Sequence, residues 1–332
     1  MAVIGTARTL QDWATTRDPN DKYAKIAELL SQDNEVLLDM PYLEGNLPTG
    51  HKTTVRTGLP ASTWRAINQG VPATKGAAAP ITFATAMLEQ RSQVDKALAE
   101  LNDDLAAYRM NEAKPHYEAM SQDMATTLFY GNEALEPEKF TGLARYYNSL
   151  SGAASSENVV SHGGSGSDQS SIYIIRWGEN TIHGIYPKGS PAGLQHEDIG
   201  LDDASDASGN PFRAFKDHWV WKNGLAVRDW RAGVRVCNID TSVIRTNDAG
   251  GVTAIKDLIR SLIIASERLR GEGSGGIMYM NRTCKTALRL GILEKVANNL
   301  SYETVAGKEV MVFDEMIVRT TDALLTTETA VS

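Results

Sequence analysis

Three glycines, Gly271, Gly273 and Gly276, have the G-x-G-x-x-G spacing that can cradle a dinucleotide pyrophosphate. Such a loop must leave a strand and open a helix, because the helix N-terminus has to face the phosphates. The apolar pattern here has the opposite order. A helical stretch ends at Arg270 and a strand-like run begins at Ile277, so these glycines are expected to cap a helix and turn the chain. A second glycine-rich stretch, His162 to Ser167, lacks both the Lys-Ser/Thr of a phosphate loop and a strand leading into it. It reads as a surface loop, and no cofactor is expected at either place.

The remaining reactive residue types also fail on context. Of the six histidines, His51, His116, His162, His183, His196 and His218, none forms H-E-x-x-H or an i, i+4 pair. His196, Glu197 and Asp198 are the one ligand-like cluster, but adjacent residues rarely face one metal together, so a solvated turn is expected. No G-x-S-x-G elbow activates a serine. Cys237 and Cys284 lack zinc-site spacing and are expected to be reduced core thiols. Glu35 with Asp39, and Asp103 with Asp104, could be posed as acid/base pairs. Helical carboxylates more often form a solvated face, which is the expectation here. Trp219, Trp221 and Trp230 lie near Lys222, Arg228 and Arg231, as on a base-stacking platform, yet their alternation with polar residues is that of half-buried strands. Packing is expected of them. Asn281-Arg282-Thr283 and Asn299-Leu300-Ser301 match the glycosylation pattern, but without an export signal no modification is expected. No catalytic, cofactor-binding or metal residue is assigned, and the chain is not expected to be an enzyme.

Composition agrees. The 332 residues are 42% hydrophobic, enough for a sizeable core, and carry a net charge of −8. An acidic chain does not coat nucleic acid, since that requires Lys and Arg on the phosphates. It suits a wall that encloses nucleic acid without adhering to it. The longest apolar run, Leu258 to Ala265, is interrupted by Arg260 and Ser261 and cannot span a bilayer. A soluble chain that is not secreted is expected.

The elements that must position any site are unusual. Tyr23 to Leu38 offers a narrow apolar side through Ile26, Leu29, Leu30 and Leu37. From Gly45 to Pro80 the chain is rich in Gly and Pro, with short β-like pieces at His51 to Leu59 and Ser62 to Ile67. A segment this long without a core of its own points to a function or a partner, and we read it as a projecting hairpin. Val94, Leu98, Leu101, Leu105 and Tyr108, then Tyr117, Met120, Met124 and Leu128, predict a long amphipathic helix. Taken from about Glu89 to Tyr130 it would reach roughly 60 Å at ~1.5 Å per residue, with a kink at Pro115. Strand-like runs follow at Ile172 to Trp177, Thr181 to Tyr186, His218 to Trp221, Gly224 to Trp230 and Val234 to Asn238. Gly200 to Asn210 reads as an acidic loop between them. Helices at Val252 to Leu269 and Thr283 to Leu300, a strand at Ile277 to Met280 and a strand pair or bent strand at Glu309 to Arg319 complete the reading. The class is α+β.

In this order, FYGNEALEPEKFTGLARYYN, SSIYIIRWGENTIHGIYPKGSPAGLQHEDIG, FKDHWVWKNGLAVRDWRAGVRVCNID and GKEVMVFDEMIVRTTDALLTTE resemble phrases of the major capsid proteins of tailed bacteriophages, which share the Hong-Kong-97-type fold. The resemblance covers most of the chain. It implies an N-terminal arm at 1–45, an extended E-loop hairpin at 46–85 and a peripheral domain with the spine helix at 86–150. It further implies a mostly axial domain at 151–300 and a return to the peripheral domain at 301–332. The function implied is self-assembly as hexamers and pentamers into the icosahedral head around the double-stranded DNA of a tailed phage. The location implied is the virion capsid, assembled in the host bacterial cytoplasm. The partners implied are further copies of the chain, a portal protein and a separate scaffolding protein, with room for a decoration protein and no membrane. Lys52, Arg56, Trp64 and Arg65 are the expected inter-subunit contacts on the hairpin. Lys52 and Lys75 lie where some relatives cross-link, but no companion Asn or Glu is recognisable, and no cross-link is assigned. The alternative reading is an encapsulating compartment shell or a minor head protein of the same fold.

Overall fold

The computed structural model describes residues 32, 34–101, 105–206, 208–246, 248–271, 275–293, 300–305 and 308–332. The arm residues before 32, together with Asp103, Asp104 and Gly273, lie outside them. In chain order come α1 (Val36–Asp39), β1 (Tyr42–Glu44), β2 (Gly50–Gly58), β3 (Ala77–Asp95), α2 (Lys96–Glu100), α3 (Leu105–Tyr130) and α4 (Leu143–Tyr146). Six strands follow: β4 (Val159–Ser161), β5 (Gln169–Ile175), β6 (Ile182–Tyr186), β7 (Leu194–Ser205), β8 (Pro211–Val227) and β9 (Gly233–Asp240). Then come α5 (Ala249–Arg268), β10 (Ile277–Met280), α6 (Arg282–Leu293), β11 (Leu300–Val305), β12 (Lys308–Phe313) and β13 (Met316–Thr320).

One sheet runs β11-β12-β13-β10-β5-β9-β4. Side chains alternate across a strand, and here both faces are covered, which is why all seven residues of β5 are buried. Ile172 and Ile174 join Val234, Val236, Met278 and the α5 residues Ile255, Leu258 and Leu262 in one core. Tyr173 and Ile175 face the opposite way and pack with Met124, Leu128 and Phe129 of α3. The C-terminal half of α3 is thus held to this sheet by one apolar face, as its spacing requires.

The second sheet runs β1-β6-β8-β3-β2, with β7 also on β8. Strand β3 belongs to two neighbours in succession. Its first part pairs with β2 as far as Ala84 opposite Gly50, and from Thr85 opposite Gly224 onward it pairs with β8. A single extended strand therefore carries the chain from the hairpin into the body. Sheet membership also crosses the sequence: β6, β7 and β8 join the sheet that holds the hairpin, whereas β12 and β13 complete the sheet of β5 and β9.

Four expectations are corrected. Residues Glu89 to Asp95 are strand and Lys96–Glu100 is a separate short helix, so the long helix, described as Leu105–Tyr130, does not reach back to Glu89. Pairing with β8 overrides a polar stretch without its own strand signal, and Asp95 accepts a bond from the Ala97 amide at 2.7 Å to start α2 there. The acidic stretch after Gly200 is strand to Ser205, because Asp202 and Asp203 pair with Lys216 and Arg213 across the β7–β8 ladder. Only the turn at Asp206 to Asn210 remains as a loop, closed by Asp206 accepting from the Ser208 and Asn210 amides. Ser62 to Ile67 forms no strand, and Leu300, expected to close the last helix, is already in β11.

Candidate inter-subunit surface

Strands β2 and β3 form the predicted hairpin, and residues 59–76 form its tip, without regular structure and exposed throughout. Thr74 Oγ1 donates to the Ala61 carbonyl at 3.0 Å and draws the two sides of the tip together. Along β2 the period of two turns Lys52, Thr54 and Arg56 outward and leaves His51, Thr53 and Val55 half-buried. At the tip Trp64 is wholly exposed, and Leu59, Ile67 and Val71 are also open to solvent. All four predicted contact residues, Lys52, Arg56, Trp64 and Arg65, are therefore exposed on this projection, two on one strand face and two at the tip. None lies in a cleft.

The root of the hairpin is the reverse, tightly packed. Phe83, Ile185 and Ala226 make a small core there against Tyr146. Asn46 clamps the backbone of Lys52 from both sides, donating to its carbonyl at 2.6 Å and accepting from its amide at 2.7 Å. A Cβ on Gly50 would lie 2.1 Å from the Phe83 carbonyl oxygen, and one on Gly224 would lie 2.5 Å from that of Ala84, so glycine is required where β3 changes partner. His51 and His183 meet edge to face across this root, ring centroids 6.2 Å apart. Their Nδ1 atoms are buried without hydrogen-bond partners. Burial, with help from His51 and Arg228, holds the His183 imidazole down to about 4.

The other residues singled out by sequence serve packing. Trp219 is fully buried in a stack between His116, at 4.8 Å, and His196, at 5.3 Å. His196, Glu197 and Asp198 sit on strand β7, not in a turn, because each pairs across the ladder with β8. His196 Nε2 lies 3.0 Å from Asp217, and Asp198 takes both arms of the Arg109 guanidinium of α3 at 3.0 and 2.6 Å. Glu35 and Asp39 do not form a solvated face: Arg319 lies 3.6 Å from the first and 3.3 Å from the second. The Tyr279 hydroxyl also donates to Asp39 at 3.0 Å. Gly271 follows α5 and has a left-handed φ of 107°, in keeping with a chain turn. Cys237 and Cys284 are buried, and burial raises their thiols to about 11 and about 12, which makes them poor nucleophiles. Among the described residues no group of three or more His, Cys, Asp or Glu could hold a metal, and no helix is long and apolar enough to cross a membrane.

Sequence reasoning missed a buried polar lock. Arg235 of β9 reaches Glu328 near the C-terminus, Ser171 of β5 and the Tyr147 carbonyl, while the Tyr130 hydroxyl donates to Glu328 from the end of α3. Its members are far apart in sequence and carried no local signal. An Arg set between Val234 and Val236 was the one available hint.

Comparison with known proteins agrees with this geometry. The family model for major capsid protein GP7 matches residues 18–332. A chain of the bacteriophage Epsilon15 structure is similar over 100% of this chain and 99% of its own, with 32% sequence identity and a TM-score of 0.76. The bacteriophage JBD30 capsid aligns over 89% of this chain and 92% of its own at 10% identity and a TM-score of 0.49. The SrpI encapsulin complex of Synechococcus elongatus aligns over 72% of this chain and 97% of its own at 10% identity and a TM-score of 0.44. No protein of curated function matches the sequence. The α+β class and the Hong-Kong-97-type capsid fold expected from the sequence are borne out, and the chain belongs to the GP7 family of major capsid proteins.

Proposed function

We propose that the chain assembles as hexamers and pentamers into the icosahedral head that encloses the double-stranded DNA of a tailed phage. The observation that carries this is the hairpin. A tip of exposed Trp64, Leu59, Ile67 and Val71, held away from the core by a rigid root, has nothing to bury against in its own subunit. Ordering such a segment costs roughly 1 to 2 kcal/mol per residue, and contacts on a neighbouring subunit offset that cost. Residues 1–45 act as an arm and 46–85 as the E-loop in this scheme. Segment 86–150 supplies the peripheral spine, 151–300 most of the axial contacts, and 301–332 the return to the peripheral region.

Assembly takes place in the host bacterial cytoplasm on a separate scaffolding protein, around a portal protein at one vertex, with an outer surface that can accept a decoration protein. The role is structural, with no catalysis. Electron microscopy of the protein co-expressed with the scaffolding protein from the same genome tests this. Closed shells built of sixfold and fivefold capsomers are expected. A monomer that stays dispersed under these conditions would overturn the reading, and normal shells from the chain alone would remove the scaffold from it.

A further inference from the structure

The charge on the hairpin has one sign. From Gly45 to Leu88 the sequence holds Lys52, Arg56, Arg65 and Lys75 and neither Asp nor Glu, so this stretch is +4 in a chain whose net charge is −8. Carboxylates crowd a different strand pair. The β7–β8 hairpin, residues 194–227, holds six carboxylates, Glu197, Asp198, Asp202, Asp203, Asp206 and Asp217, against the three cations Arg213, Lys216 and Lys222, a net charge of −3. Internal ion pairs leave much of this charge facing solvent. The side chains of Glu197 and Asp203 remain 75% and 62% exposed.

Both elements also lie at sheet margins. Among the described residues β2 pairs only with β3, and β7 only with β8, so each presents an open edge. Within the acidic strand Ile199 is an exposed apolar residue, as Trp64 and Ile67 are within the basic tip. Like signs keep each hairpin away from its own kind, and unlike signs bring the two different hairpins together.

Building on the shell reading above, we infer that the basic hairpin of one subunit docks on the acidic β7 strand of a second copy. Lys52 and Arg56 face Glu197 and Asp203 in this contact, and the apolar tip covers Ile199. The contact is heterologous, one patch meeting a different one, and so it propagates around a ring as capsomer symmetry demands. The charges steer encounter and fix register, while the apolar tip supplies the buried area. Exposed apolar residues beside the cations favour a protein partner over a phosphate backbone for this hairpin.

Charge reversal in the scaffolded assembly system provides the test. The variant Lys52→Glu/Arg56→Glu, and separately Glu197→Lys/Asp203→Lys, should each lower the yield of closed shells about tenfold or more by placing like charges in contact. Combining all four substitutions should restore the yield to near that of the parent chain, which also shows that the reversed subunits fold. Loss of shells with the first pair, but neither loss with the second nor restoration by the combination, would overturn the β7 assignment and leave the shell-forming role of the hairpin standing. Normal shells from the first pair that package less DNA would overturn it in favour of a nucleic-acid contact. If the first pair and a Trp64→Ser/Ile67→Ser variant all gave normal shells, the hairpin reading itself would fall with it.

Discussion

Arg235 Nη2 donates to Glu328 Oε2 at 2.8 Å, a charged pair almost wholly removed from solvent and separated by 93 residues of chain. The pair fastens the C-terminal segment to β9, beside the edge strand β4 of the seven-stranded sheet. Tyr130 strengthens it, since its hydroxyl donates to Glu328 while accepting the Leu325 amide at 3.0 Å. Asn238 adds a second fastening, with its side chain bonded to both the amide and the carbonyl of Val331. The end of α3, the sheet and the last residues thus form one unit.

Removing one half of that pair leaves the other charge buried and unpaired, which is costlier than never having had it. Glu328→Ala is therefore expected to lower subunit stability by roughly 3 to 5 kcal/mol, and Glu328→Gln, which still accepts hydrogen bonds, by less. Urea unfolding of the unassembled subunit measures both. A loss below about 1 kcal/mol for the alanine variant would show that the C-terminal segment contributes little to the fold.

Arg109 ties α3 to the β7–β8 hairpin through two bonds to Asp198 and one of 2.9 Å to Asp217, whose carboxylate is nearly buried. Arg109→Met keeps much of the stem that lies over the Phe215 ring but leaves Asp217 with His196 alone. A loss of roughly 2 to 4 kcal/mol is expected. Arg109→Lys should recover only part of it, because an ammonium group cannot make the two-armed bond. Full recovery by lysine in thermal unfolding would show that charge alone holds the hairpin to the helix.

At the hairpin root, Gly224→Ala would place a methyl group 2.5 Å from the Ala84 carbonyl oxygen, closer than any Cβ can sit. Backbone must move, so β3 and β8 separate at the point where β3 changes partner. We expect a loss of about 2 kcal/mol or more, and faster proteolysis between Ala77 and Thr85 than at other sites. An unchanged digestion pattern would mean that the root absorbs the methyl group without opening.

The elements legible in the sequence were those with periodic apolar faces. Met120, Met124 and Leu128 announced the buried half of α3, and Ile255, Leu258 and Leu262 announced α5; all six are buried. The projecting hairpin was legible for the opposite reason, an absence of any core pattern between Gly45 and Pro80. What escaped was decided by partners distant in sequence. Glu89 to Asp95 has no strand pattern of its own and becomes strand only because β8 lies beside it. Asp202 and Asp203 look like loop residues until Lys216 and Arg213 stand across from them. The turn between β12 and β13 uses Asp314 and Glu315, both with left-handed φ near 55° and neither the glycine or asparagine that such a turn usually advertises. Candidate contact residues could be named from their place on a stretch without a core of its own, whereas the His51–His183 pair at the root could not, since it joins two strands more than a hundred residues apart.

That pair makes the root sensitive to acid. Burial first, then the neighbouring His51 and the Arg228 guanidinium, lower His183 from 6.5 to about 4, with only a bond to the Gly178 backbone opposing them. His51 is lowered too, by burial and by Arg228. Above pH 6.5 His183 is neutral in the folded and the unfolded chain, and its contribution to stability is complete. Between 6.5 and about 4 the unfolded chain takes up the proton and the folded chain does not, so stability falls as pH falls. The slope approaches ~1.4 kcal/mol per pH unit, and the loss levels off below the folded value after roughly 2 to 3 kcal/mol. Urea midpoints of the parent chain and of His183→Gln, followed across this range, isolate the effect as a difference between two titrations. The parent should lose more stability on acidification than the variant, with the gap opening below pH 6.5. Parallel curves would show that His183 takes up its proton in the folded protein at no cost to the hairpin root.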